Sequence, residues 1–382
     1  MRFFVLDQSF ETLDYFESFR NASWIIRYQS PGEFELEMPA TQALVDLFTH
    51  DRYVMLDGEE HLMIIESIKI GLDWQNGDTL TVSGRSLESL LDRRIIWNKV
   101  DFSNTNLQTA IQTILNANVI NPSDTARKIP GFVFTPSNDS RITGLTLTAS
   151  YHGENILEVI QMLCEQYDLG FKVLPVPGGG YSMTLFAGTD RSYAQETNPW
   201  IVFSEGYENI GDTSSTRNKS ILKNSCLIYN ERTYRSVETN TVVDEEGHET
   251  TTTETHDEVI ITQESVDGKD GAQSGLARRE MYIESSKSNY KADGTEMTTD
   301  EYKAALRAEA SEELGEHNID TAFSGKAEVS RQHVVNEDFF LGDIVQISTR
   351  FGIEERVRVY EIAWAQSPTE NAVVPSFVNV PG

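Results

Sequence analysis

DTLTVSGRSLESLLDRRIIW, residues 78–97, reads as a strand, a one-residue break and a short helix in succession. Leu80 and Val82 face one side of the strand and the β-branched Thr79 and Thr81 the other, the two-residue period of a half-buried strand. Gly84 supplies backbone freedom for a sharp exit, and Ser86 stands where a helix N-cap belongs. Leu87, Leu90 and Leu91 follow at helical spacing, with Glu88 in the first turn and Arg93 and Arg94 in the last, where each charge complements the helix dipole. The stretch therefore predicts a helix that closes a small barrel by packing its leucines on it. An active-site turn is excluded, because a nucleophile elbow needs glycine two residues after the serine and Ser86 is followed by Leu87 and Glu88.

Upstream, Trp24–Tyr28, Glu33–Met38, Tyr53–Leu56 and Leu62–Ile70 alternate apolar and polar residues between Pro31-Gly32, Asp57-Gly58 and Asn76-Gly77. Short strands joined by turn residues predict an antiparallel barrel or sandwich over 1–97, with Thr41–Phe48 as a helix across one end. Downstream the period changes. Leu107, Ile111, Ile114 and Leu115 line one helix face, and Leu157, Ile160, Leu163 and Tyr167 another, before the strands Phe171–Leu174 and Tyr181–Phe186. Residues 98–197 thus read as an α/β domain ending in a hairpin, and Gly178–Gly180 is its loop rather than a phosphate cradle because a strand follows it.

Residues 198–277 read as the first part of a second β-barrel domain, with a strand at Ser225–Thr233 and a long acidic hairpin at Val237–Val259 whose tip is Asp244-Glu245-Glu246-Gly247. From Arg278 the signal is helical. Thr298 and Glu301 form a capping box, and Tyr302, Ala305, Leu306 and Leu314 share a face as far as Gly315. Strands resume at Ala327–Val335, Ile344–Thr349 and Arg356–Ala363, so 278–324 is a helical insertion and 325–382 holds the closing strands of the second barrel. The predicted class is α+β, mainly β: two small β-barrel domains, an α/β domain and a helical insertion.

Composition removes several functions. With 60 acidic against 31 basic residues the net charge is −29, which repels phosphate backbones and argues against specific nucleic-acid binding. Cys164 and Cys226 have neither metal nor disulfide spacing and read as buried apolar residues. The N-terminal MRFFVLDQSF is too short in apolar run for a signal segment, and no stretch is long enough to insert stably in a membrane. His50, His61, His152, His248, His256, His317 and His333 stand in no ligand spacing. Glu245, Glu246, Asp257 and Glu258 lie on a hairpin that cannot hold two carboxylates at fixed separation, and the DGKDG loop from Asp267 lacks the distal glutamate of a calcium loop. No catalytic, cofactor or metal site is expected.

Four stretches in order, WIIRYQSPGEFELEMP (24–39), SGRSLESLLDRRII (83–96), RREMYIESS (278–286) and FFLGDIVQISTRFGIEERVRVYEI (339–362), resemble the tail hub or baseplate hub proteins of long-tailed bacteriophages. The resemblance implies a baseplate-hub-like fold whose two barrels line a channel. Three copies would form a ring of six barrels, matching a sixfold tail tube. It implies a virion protein of the tail tip, made in the host cytoplasm. Its partners would be the distal tail protein, the tape-measure protein and tip or fibre proteins, with DNA passing through during ejection. Many relatives continue into a peptidase, lysozyme-like or fibre domain, whereas this chain ends twenty residues after Ile362, so a non-enzymatic protein is expected.

On this reading the subunit-interface candidates are Phe34 and Leu36 in one barrel and Ile344, Val345 and Ile347 in the other, taken as apolar strand edges. A hub of a contractile injection machine would read much the same. A cell-wall hydrolase would require an acid–base pair or a zinc site. A carbohydrate-binding module would rest on Trp74, Trp97 and Trp200, residues that in β domains more often belong to cores.

Overall fold

A computed structural model describes all residues except 73–76, 244–248, 269–270, 292–294, 318–319, 328–331, 350–351, 353, 370 and 381–382. Trp74, His248 and the acidic tip at 244–247 thus lie outside the described residues. The chain forms two compact units, Met1–Ser214 with Phe323–Gly382, and Ser215–Ala322.

The first unit begins with strands β1 (Phe3–Leu6), β2 (Thr12–Phe16), β3 (Asn21–Arg27) and β4 (Glu33–Pro39), helix α1 (Gln42–Leu47), and β5 (Tyr53–Leu56), β6 (Leu62–Gly71) and β7 (Thr79–Ser86). The alternation in sequence is carried out in burial: Ala22, Trp24 and Ile26 of β3 and Phe34, Leu36 and Met38 of β4 point into one core. In β6 the unbroken run Leu62–Ile65 is buried on both faces. Met63 and Ile65 join Trp24 and Phe34, while Leu62 and Ile64 join a second core on the opposite side.

That second core belongs to the α/β segment. It comprises β8 (Val100–Asn106), α2 (Leu107–Leu115), β9 (Phe132–Phe134), α3 (Ser140–Thr143), β10 (Thr146–Tyr151), α4 (Ile156–Gln166), β11 (Gly170–Pro175) and β12 (Tyr181–Phe186). β8 pairs with β10, and β11, β12 and β9 form a three-stranded sheet. The joint at 78–97 departs from expectation in two ways. Leu87–Arg93 forms a tight 3-10 helix whose leucines pack in this α/β core with Ile160, Leu163 and Phe171, not in the core around Trp24. Ser86 ends β7, and its hydroxyl accepts a hydrogen bond from Gly32 N at 2.7 Å instead of capping the helix. Gly84 lies inside β7 opposite Phe34 and Ile65, so it is no exit. What requires glycine is close approach: a Cβ there would run into the Ile64 carbonyl oxygen and stand 2.9 Å from Glu66 N.

The chain continues through β13 (Val202–Ser204) and β14 (Ile210–Asn218) to the second unit, which holds β15 (Ser225–Val243), β16 (Glu249–Asp267), β17 (Glu280–Glu284) and α5 (Thr299–Glu316). The hairpin is longer than the sequence suggests, with β15 and β16 in register from Ser225↔Asp267 to Val243↔Glu249. The expected capping box is present: Thr298 Oγ1 accepts from Glu301 N, and Glu301 returns a carboxylate to Thr298 N. Helix and hairpin are not separate pieces, as a barrel part at 198–277 and an insertion at 278–324 would make them. Tyr302, Leu306, Ala310 and Leu314 bury against Cys226 and Ile228 at the hairpin base, because neither element alone can cover its apolar face. Replacing Thr239–Thr255 by a two-residue turn removes no described residue of that core. The shortened protein is expected to keep its helix content by circular dichroism, with a melting midpoint lowered by less than about 10 °C.

β18 (Asp320–Ala327), β19 (Ile344–Ser348), β20 (Glu354–Gln366) and β21 (Asn371–Asn379) complete the chain. β18 pairs with β14. The others do not build a barrel of their own. One eleven-stranded sheet runs β13-β19-β20-β3-β4-β7-β6-β5-β1-β2, with β21 also on β20, and no closed barrel forms among the described residues. The cause is the length of β20. Residues 354–358 pair with β19, and 361–366 pair with β3 from Glu361↔Arg27 to Gln366↔Ala22, so one strand serves two partners end to end. Both chain regions share a core, in which Phe203 packs edge-on against Phe339 at 5.6 Å and lies beside Phe377.

Candidate assembly surface

The sheet places the five interface candidates inside the molecule. Phe34, Leu36, Val345 and Ile347 are buried in the core around Trp24, and Ile344 is half-buried. β4 lies between β3 and β7, and β19 between β13 and β20, so neither is an edge. The correction has a simple origin: a two-residue period shows which side of a strand is apolar, not how many neighbours the strand has.

The open edges lie elsewhere. β13 and β2 end the main path of the sheet, and β21, paired only with β20, is a third edge. In β2, Thr12, Leu13, Asp14 and Tyr15 are all exposed, so both faces of the terminal strand stand clear of the core and only Phe16 is buried. Tyr15 is 61% exposed, inclines toward Phe4 and lies beneath the Arg2 guanidinium, 5.8 Å from its centroid. Arg2 is held in turn by Glu17 at 2.6 Å. Two of the devices that normally blunt an unpaired edge are present, a charge at Asp14 and a bulge at Leu13, which is skipped between Val5↔Asp14 and Leu6↔Thr12, but no proline closes the strand to a further partner. The signal in sequence was present but weak, since TLDYF follows the alternating pattern over too few residues to stand out.

A second constellation holds the sheet to the α/β segment. Tyr28, at the end of β3, is fully buried and donates from Oη to Asp168 O at 3.2 Å. Burial pushes its hydroxyl up to about 12, against the opposing pull of Arg358. Arg358 of β20 stacks over the Tyr28 ring at 4.9 Å, donates to Gly342 O at 2.6 Å and pairs with Asp168. Gly342 has φ +90°, and a Cβ there would overlap the Tyr28 ring, so Gly342 is the seat of this ring. Asp343 accepts from Thr189 N at 2.7 Å and from Arg191 Nε at 2.8 Å, tying the turn to the chain that leads into β13.

Other predicted features are dispersed. His256 lies 3.7 Å from Glu254 on the exposed hairpin, and no group of three metal-ligating side chains occurs among the described residues. Cys164 and Cys226 are both buried free thiols. Trp97 and Trp200 are exposed, the first under Arg127 and the second edge-on to Tyr193 at 5.1 Å. No described helix is long and apolar enough to cross a membrane.

Comparison with known proteins connects this architecture to phage tails. Residues 2–377 match the family model described as Siphovirus ReqiPepy6 Gp37-like protein. The 43 kDa tail protein of prophage MuSo2 from Shewanella oneidensis superimposes with a TM-score of 0.58 at 14% identity, covering 99% of this chain and 98% of its own. A tail protein from Neisseria meningitidis MC58 gives 0.59 at 12% identity, covering 100% and 97%. The prophage tail protein gp18 from Listeria monocytogenes EGD-e gives 0.53 at 13%, covering 100% and 96%. At these identities the likeness is one of fold. No curated protein sequence matches.

Proposed function

Since the chain belongs to the Siphovirus ReqiPepy6 Gp37-like family of siphovirus tail proteins, we propose that within the virion tail it is the structural hub of the tip, three copies closing a ring through which DNA passes at ejection. The observation that carries this reading is the open end of the sheet at β2, where Leu13 and Tyr15 stand exposed on an unpaired edge. Copies related by a closing rotation would satisfy such edges with contacts from one copy to the next, and the paired small barrels of the hub architecture would then be completed by neighbouring copies instead of within one chain. The distal tail protein and tape-measure protein are the partners on the tube side and tip or fibre proteins on the other. Net acidity suits the role, because a chain carrying −29 overall disfavours retention of phosphates that pass along it.

The same charge opposes assembly, so the ring is expected to form at high salt, where the Debye length falls from about 10 Å at 0.1 M to about 3 Å at 1 M, or with the distal tail protein bound. Light scattering at both salt levels, alone and with that partner, should read the mass of a trimer in at least one condition. The double variant Leu13→Asp, Tyr15→Asp should remain monomeric in all of them with an unchanged far-ultraviolet spectrum. A wild-type monomer throughout, or a stable dimer, overturns the hub reading.

A further inference from the structure

In a chain with twice as many acids as bases, Arg94 and Arg127 stand out because neither forms an ion pair among the described residues. Arg93 is already committed to Asp51 at 3.3 Å. Arg94 donates from Nε to Arg127 O at 2.6 Å and from Nη1 to Arg93 O at 2.7 Å. Arg127 donates from Nη2 to Ile95 O at 2.7 Å and to Asn118 Oδ1 at 3.2 Å. Every acceptor is neutral, and a guanidinium carries five donors, so each keeps donors to spare. Burial, with Arg127 and then Arg93 as like-charged neighbours, holds Arg94 below its usual range, a strain that an anion would relieve. Trp97, 59% exposed, carries the Arg127 guanidinium 4.8 Å from its ring centroid. Its backbone is pinned by Asn118 Oδ1 at 3.0 Å, the atom that also receives Arg127.

We propose that Arg94, Arg127 and Trp97 form a binding site for an acidic sugar, a pyranose bearing a phosphate or carboxylate group. The guanidinium fork matches an oxyanion with two parallel hydrogen bonds, which a lysine could not do. The exposed indole offers the flat apolar surface that the C–H face of a pyranose covers. The guanidinium groups donate to backbone carbonyls and to Asn118 Oδ1, which also fixes the Trp97 backbone, so little ordering is needed on binding. A long polyanion fits less well, because carboxylates such as Asp51 and Asp92 stand close by in sequence or contact, within the range over which charge acts at ordinary salt. The site is independent of β2 and of ring formation.

Calorimetry on the full chain tests this with glucose 6-phosphate, glucuronate, glucose, inorganic phosphate and a thymidine oligonucleotide. At least one acidic sugar should bind about tenfold or more tightly than glucose and than phosphate, and which of the two does so identifies the anion. Arg94→Gln should abolish that binding. Because Arg94 also ties two loops together, Trp97→Ala serves as the second variant: it should leave weak phosphate binding while removing the preference for the sugar. No heat from either acidic sugar, phosphate bound as well as the sugar phosphate, or the oligonucleotide bound most tightly would each overturn the proposal.

Discussion

Gly84→Ala is expected to destabilise the unit formed by 1–214 and 323–382 by about 3 kcal/mol or more, the upper end of what overpacking costs. The added methyl would overlap the carbonyl oxygen of Ile64 and lie 2.9 Å from Glu66 N, and both are backbone atoms of the neighbouring strand. No rotamer change can relieve the clash; β6 must move away from β7, and β6 is packed on both faces. The register of β6 against β7 shifts between Ile65 and Ser67, leaving Glu66 as an extra residue whose backbone nitrogen lies against the glycine. Urea unfolding followed by tryptophan fluorescence is a clean measure, since all five tryptophans belong to this unit. Gly144→Ala is the control, with open space around its Cβ position and an expected change within about 0.5 kcal/mol. A mild effect at Gly84 would mean that the two strands are farther apart than described.

Arg358→Met is expected to cost about 2–4 kcal/mol in the same assay. The change strips the Gly342 carbonyl of a buried donor, worth about 1–3 kcal/mol, and removes the cation from the face of Tyr28, worth about 0.5–2 kcal/mol. The ion pair with Asp168 adds little to this, because that carboxylate side chain is 51% exposed and its charge returns to water when its partner is lost. Asp168→Asn should therefore cost less than about 1 kcal/mol, and asparagine accepts the left-handed backbone at φ +54°. Equal losses at the two positions would show that the ion pair, not the stacked and buried guanidinium, holds the sheet to the α/β segment.

Much of the chain could be read from residue pattern because local chemistry decided it. The alternation in β3 and β4, the faces of α2 and α4, the loop at Gly178–Gly180 and the capping box of α5 all follow from neighbours in sequence. What escaped depends on partners far away. Ser86 looks like a cap until Gly32, 54 residues earlier, presents its N–H. Phe34 and Ile347 look like edges until strands from both ends of the chain close over them. Two apparent barrels become one sheet because β20 is long enough to pair with β19 and β3 in succession, and only the second of these pairings reaches the N-terminal half. The proposed arginine–tryptophan site is half visible in sequence: Arg94 reads as a complement to a helix dipole, whereas its companion Arg127 lies 33 residues on, in a segment with no signal of its own.

The pairing of β3 with β20 also sets a clock. Arg27 meets Glu361 across 334 residues, so at about 5–20 residues per second the ribosome needs on the order of 15–70 s to supply the partner. Until then Trp24 and Ile26 sit on a strand whose outer margin is bare, in a host cell making many identical nascent chains. Folding of this unit must finish after synthesis of its last strands, and the slow step is the search for a distant partner rather than any local event. During that wait the surplus of carboxylates keeps one unfinished chain from adding its strand to another.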